Sequence, residues 1–220
     1  MLSASWDCTV KSWDARISSS THAIFSGKLP GKAFSMDARD NTVVVATTGR
    51  RICIYDVRQM DKIVQMQDRE SSLKYQTRTA RLFSDGTGLA IGSIEGRVAI
   101  EYVDEASSAA QGKKKYAFKC HRSGDVIYPV NSIAFHPTYG TFATGGCDGG
   151  VVIWDAANKK RLSSLSKFPT SIAAMAFNYD GTELAVASSY TFEEGERDHP
   201  RDEIFVREVL DSECRPKKKH

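Results

Sequence analysis

The chain has 220 residues, 41% of them hydrophobic and 26% charged, with a formal net charge of +3. That balance excludes intrinsic disorder and leaves no basic surplus to suggest a nucleic-acid partner. No apolar run reaches the length of a membrane span and the first twenty residues are polar, so neither a membrane partner nor a secretory leader is expected.

Taken from the N-terminus, residues 5–14 (SWDCTVKSWD) read as a turn followed by a strand. An apolar run at 42–47 (TVVVAT) leads into a second turn and strand at 47–56 (TTGRRICIYD). A strand at 79–83 and a run at 88–93 (GLAIGS) precede the third, 93–102 (SIEGRVAIEY). The fourth unit has strands at 130–135, 141–145, 151–155 and 161–165, with its turn and strand at 146–155 (GCDGGVVIWD). Strands at 172–177 and 183–189 come before a weaker fifth copy, 202–209 (DEIFVREV). These segments are short and rich in β-branched residues, and no window keeps a helical apolar period for three turns. The predicted fold class is all-β.

The copies align without gaps on Val10, Ile52, Val98, Val151 and Ile204, at separations of 42, 46, 53 and 53 residues. Each repeat is then one unit of four strands, a to d, near the ~40–45 residues of a WD40 blade plus loop insertions. Cys120-His121 stands where that family has Gly-His, and Trp154-Asp155 is its WD dipeptide. The resemblance to the WD40 β-propeller family implies a structural hydrogen-bonded tetrad of His121, Thr144, Asp148 and Trp154. A buried imidazole and carboxylate must satisfy each other.

The first copy starts inside strand b, and the last shows no convincing strand d. Three full blades, at about 32–67, 77–122 and 130–166, are therefore expected between two partial ones, within residues 1–209. Residues 210–220 read as a basic C-terminal tail. Against the seven blades usual in this family, the resemblance implies an incomplete ring, truncated at its N-terminal side.

No catalytic residue is expected. The five histidines show no metal-ligand spacing, so no metal or cofactor is expected, and the five scattered cysteines fit reduced thiols. Cys120 and His121 are adjacent and would point to opposite faces of a strand, which argues against a nucleophile pair. The glycine-rich run 145–150 is a b–c turn with no helix after it, so it is not a phosphate loop.

In a propeller the d–a and b–c connections share one face, the top. Arg78 opens strand a, Arg97 opens strand c, and Lys119 and Arg122 end strand d of the same unit. Arg50 and Arg51 sit in the neighbouring b–c turn. Six cations on one rim suit acidic or phosphorylated peptides, because guanidinium pairs bidentately with carboxylate and phosphate. The lysines at 113–115, on the opposite face, and at 217–219 read as solvated loops. The insertion 191–202 (TFEEGERDHPRD) is either a disordered loop or a lip over the top face.

A narrower resemblance rests on 70–78 (ESSLKYQTR), 93–102, 113–122 (KKKYAFKCHR), 128–135 (YPVNSIAF) and 141–154. These segments resemble the mitotic spindle-checkpoint WD40 proteins of the budding-uninhibited-by-benzimidazole group. The paralogous mRNA-export WD40 factors share part of this set, but residues 70–72, 113–117 and 158–162 (NKKRL) fit the checkpoint group better. The resemblance implies a non-enzymatic adaptor of the nucleus and kinetochore, with a cytoplasmic pool. Its expected partners are GLEBS-type motifs of a checkpoint kinase and its relative, and phosphorylated MELT-type motifs of a kinetochore scaffold. Arg78 falls at a position used for acidic GLEBS residues, and Arg97 and Lys119 at positions resembling the phosphate readers. An mRNA-export role at the nuclear pore is the alternative.

Overall fold

The computed structural model describes residues 1–16, 22–59 and 61–217; of the lysines at 217–219, only Lys217 lies within them. Among the described residues, short antiparallel strands form six sheets, each in sequence order. The first holds β1 (Leu2–Ala4), β2 (Thr9–Ser12) and β3 (Phe25–Lys28). The second holds β4 (Ala33–Arg39), β5 (Thr42–Thr47), β6 (Arg51–Asp56) and β7 (Val64–Glu70). The third holds β8 (Thr77–Leu82), β9 (Gly88–Ser93), β10 (Arg97–Tyr102) and β11 (Tyr116–Lys119). A small hairpin, β12 (Arg122–Ser123) and β13 (Val126–Ile127), leads to the fourth sheet of β14 (Val130–Phe135), β15 (Phe142–Gly146), β16 (Val151–Asp155) and β17 (Lys160–Ser164). The fifth large sheet holds β18 (Ile172–Phe177), β19 (Glu183–Ser188) and β20 (Glu203–Glu208).

The sheets stack face to face, with a core layer between each successive pair. Val10 meets Val43, Val45 and Cys53 between the first and second sheets. Val44, Ala46, Ile52 and Ile54 turn the other way, onto Ala80, Leu82 and Ile91 of the third. Ala90, Val98 and Ile100 then pack on Val130, Ile133 and Phe142, and Ala143, Val151 and Ile153 on Ile172, Met175 and Val186. This is the period-two alternation of a strand, used on both sides. It explains why β5, β9 and β15 read as continuous apolar or small-residue runs, since strands covered on both faces have no polar face to show. Among the described residues, the chain is all-β in its core.

Two short helices depart from the all-strand reading. Asp104 caps α1 (Glu105–Ala110) by accepting from the Ser107 N–H at 3.0 Å. Six residues are too few to show a helical period, so the sequence pattern did not reveal this helix. The second, α2 (Asp211–Cys214), lies in the stretch expected to be a basic tail. It docks on the fourth sheet, with Cys214 buried, the Thr141 hydroxyl donating to its carbonyl at 2.9 Å and the Tyr139 hydroxyl donating to Asp211 at 2.8 Å. Among the described residues no helix is long and apolar enough to cross a membrane.

Candidate functional site

In a four-stranded meander, the start of the first strand, the turn between second and third, and the end of the fourth lie at one end of the sheet. The first strand of four successive sheets carries a bulge near that end. The register slips between Ala33 and Ser35, Thr77 and Thr79, Val130 and Ser132, and Ile172 and Ala174. The residues skipped are Phe34, Arg78, Asn131 and Ala173. A bulge inserts one unpaired residue and re-aims its side chain. Here all four line one cleft of about 270 Å³, together with Trp6 from the β1–β2 turn and Thr191 from the loop before β20. Trp6 is 66% exposed, meets Phe34 edge to face at 6.5 Å, and has the Lys32 ammonium 5.4 Å over its ring.

Arg78 is seated but not neutralised. Its Nε and Nη2 donate to Asn131 Oδ1 at 3.1 and 2.9 Å. The Asn131 amide nitrogen donates in turn to the Ile172 carbonyl and to Thr191 Oγ1, at 3.1 and 3.3 Å. A neutral amide fixes the guanidinium fork while leaving its charge for an incoming carboxylate. Of the 191–202 insertion, Thr191 lines the cleft. Thr191 Oγ1 donates to Glu193 Oε2 at 2.7 Å, Ser171 Oγ donates to Glu193 Oε1, and the rings of Tyr190, Phe192 and His199 pack together. Burial pushes the Glu193 carboxyl up, but the two hydroxyl donors outweigh it and hold it below the usual carboxylate range.

At the same end of the third sheet, Arg97 and Lys119 are direct cross-strand partners. Like charges opposite each other on adjacent strands repel, a cost that a bound anion relieves. Lys119 is exposed, and Arg97 has only a loose pair with Glu95, at 3.4 Å. Arg78 lies two and three strands away, about 10–15 Å by strand spacing. The other expected rim cations are engaged. Arg50 donates to Glu70 and to the Leu73 carbonyl, and Arg51 pairs with Asp68. Arg122 does not end a strand d: β11 stops at Lys119, and Arg122 sits in the hairpin, donating to the Glu95 carbonyl at 2.7 Å.

The four tetrad residues come together in the fourth sheet. His121 Nδ1 lies 2.8 Å from Asp148 Oδ1 and its Nε2 lies 2.8 Å from Thr144 Oγ1, which also accepts from Trp154 Nε1 at 2.9 Å. One proton arrangement satisfies all of these: Nδ1–H donates to the carboxylate and Nε2 accepts from the threonine. Burial pushes Asp148 up, but the His121 hydrogen bond, with the Gly150 N–H and Lys167, leaves it below the usual range. The glycine run has a packing cause. A Cβ at Gly146 would stand 2.4 Å from His121 Nδ1, and Gly149 takes φ +70°, where a Cβ would stand 2.8 Å from the Phe168 carbonyl oxygen. Cys120 and His121 do not lie in a strand; the chain leaves β11 at Lys119 and His121 takes φ 47°. Both are buried, and burial pushes the Cys120 thiol up to about 12, far from a reactive thiolate.

The sequence reading placed Arg78, Arg97 and Lys119 at this end but missed Trp6, Phe34, Asn131 and Thr191. Residues 112–155 match the family described as WD domain, G-beta repeat. The chain is 56% identical to Mitotic checkpoint protein BUB3.1 of Arabidopsis thaliana, over 100% of this chain and 65% of that protein. It is 54% identical to Mitotic checkpoint protein bub3 of Dictyostelium discoideum, over 96% of this chain and 63% of that one. Identity to the Poly(A)+ RNA export protein of Schizosaccharomyces pombe is 40%, over 89% of this chain and 54% of the relative. The chain thus spans a little under two thirds of the length of the checkpoint relatives it matches.

Proposed function

We propose, from the premise that this chain is a WD40-repeat protein of the mitotic checkpoint group, that it is a non-enzymatic adaptor of the spindle checkpoint. It works in the nucleus and at the kinetochore by taking acidic and phosphorylated peptide segments on its top rim. The cleft around Arg78 receives GLEBS-type motifs of checkpoint kinases, with Trp6 and Phe34 offering the apolar contact. Arg97 and Lys119 read the phosphate of MELT-type motifs in a kinetochore scaffold. The observation that carries this reading is the Arg97–Lys119 pair, two cations held directly opposite each other at the sheet end. The mRNA-export alternative is supported only by more distant relatives.

The test is titration of a MELT-type peptide, phosphorylated and not, against the chain and its Arg97→Ala and Lys119→Ala variants. Each substitution should cost about 1.5–3 kcal/mol of phosphopeptide binding, the worth of a charge-assisted hydrogen bond, and spare the unphosphorylated control. Equal losses on both peptides would sink the phosphate-reading role. An RNA adaptor would instead show steeply salt-dependent RNA binding.

A further inference from the structure

At the other end of the sheets, the connection between β10 and β11 comes beside the β16–β17 turn. Between them lies a cleft of about 600 Å³, more than twice the volume of the one around Arg78. Phe83, Tyr102, Tyr116 and Tyr139 give it apolar walls, and Lys113, Lys114 and Lys159 line its edge. Lys113 and Lys114 come from the 113–115 run that the top-rim reading leaves unused, and Lys159 from the segment 158–162. Lys115 is paired with Glu105 at 3.3 Å, but among the described residues Lys113, Lys114 and Lys159 make no ion pair. The single carboxylate in the lining, Asp85, already accepts from the Thr87 N–H and hydroxyl at 3.0 and 2.8 Å. Lys159 is held at φ 54°, in a turn where Asp155 accepts from Asn158 at 2.9 and 2.7 Å. Non-glycine residues rarely take that conformation.

We propose that this cleft is a second docking site, for an acidic peptide segment carrying one aromatic side chain. The ring enters between Phe83, Tyr102 and Tyr139, and flanking carboxylates pair with the three lysines, Lys159 leaving its place over the Tyr116 ring. Charge complementarity selects the flanks, and the apolar walls select the anchor. A nucleic acid fits this cleft less well, because three lysines edge one compact pocket rather than a groove that tracks a phosphate backbone. The site lies at the opposite end of the sheets from Arg78, Arg97 and Lys119, so both can be filled together, and it does not rest on the function proposed above.

The probe is a short fluorescent peptide of aspartate and glutamate with one central phenylalanine, followed by anisotropy at low salt with the full chain. Saturable binding is expected, weakened about tenfold by Lys113→Glu with Lys159→Glu and about tenfold by replacing the phenylalanine with alanine. Arg78→Ala with Arg97→Ala should leave it unchanged. A circular-dichroism melt checks that the lysine double variant is folded; the Lys113→Gln, Lys159→Gln pair, with a smaller loss, serves if it is not. No saturable binding, or loss only in the Arg78/Arg97 variant, would overturn the site. So would an oligouridylate that binds more tightly and is lost with the same lysines.

Discussion

Asp148 carries a pH signature that belongs to one residue. Its carboxyl is held below the usual range in the folded chain, while an unfolded aspartate titrates near 3.9. As pH falls, the unfolded chain therefore takes up the proton first. The stabilisation that Asp148 supplies is complete above about pH 4 and is lost as pH drops through its folded value. Asp148→Asn keeps an acceptor for His121 but removes the charge. The gap in urea stability between the parent and Asp148→Asn should be widest near neutral pH and close below about pH 4. A gap that stays constant to pH 3 would show that the charge contributes nothing to the tetrad.

At the scale of the strand, the bulges decide what reaches the cleft. By plain alternation Arg78 would share a face with Ala80 and Leu82, which are buried between the second and third sheets. Asn131 would likewise follow Ile133 into the next core layer. The extra residue releases both side chains from that face. The strands themselves were legible, because β5, β9 and β14 through β16 announce themselves by short β-branched or small-residue runs. The bulges were not, because register is a property of two paired strands rather than of one. The same limit hid Asn131 as the seat of Arg78, while the topology of the repeat sufficed to put Arg78, Arg97 and Lys119 at one end. If Asn131 positions Arg78, Asn131→Ala and Arg78→Ala should each weaken binding of an acidic GLEBS-type peptide, and the double variant should be little worse than either. A coupling energy of about 1 kcal/mol or more in that double-mutant cycle is expected; strict additivity would mean that the two act independently.

Across the whole molecule, the stacked sheets are not covered alike. The second, third and fourth bury both faces of their second strand, whereas the fifth is covered on one side only. Met175, Val186 and Leu184 point into the core layer against the fourth sheet. On its other face, the register aligns Ala174 with Ala187 and Ile204, and Ala176 with Ala185 and Val206. That row is apolar and open, with Ile204 76% and Val206 63% exposed. A contiguous apolar sheet face in water favours burial against another apolar surface, and a second copy of the same face is available at high protein concentration. The chain should therefore sediment faster as its concentration rises. Ile204→Lys with Val206→Glu should abolish that dependence without lowering the melting temperature, since neither side chain is buried in the single chain. A sedimentation coefficient independent of concentration in the parent protein would overturn the argument, and a lower melting temperature in the variant would show that these side chains pack within the chain after all.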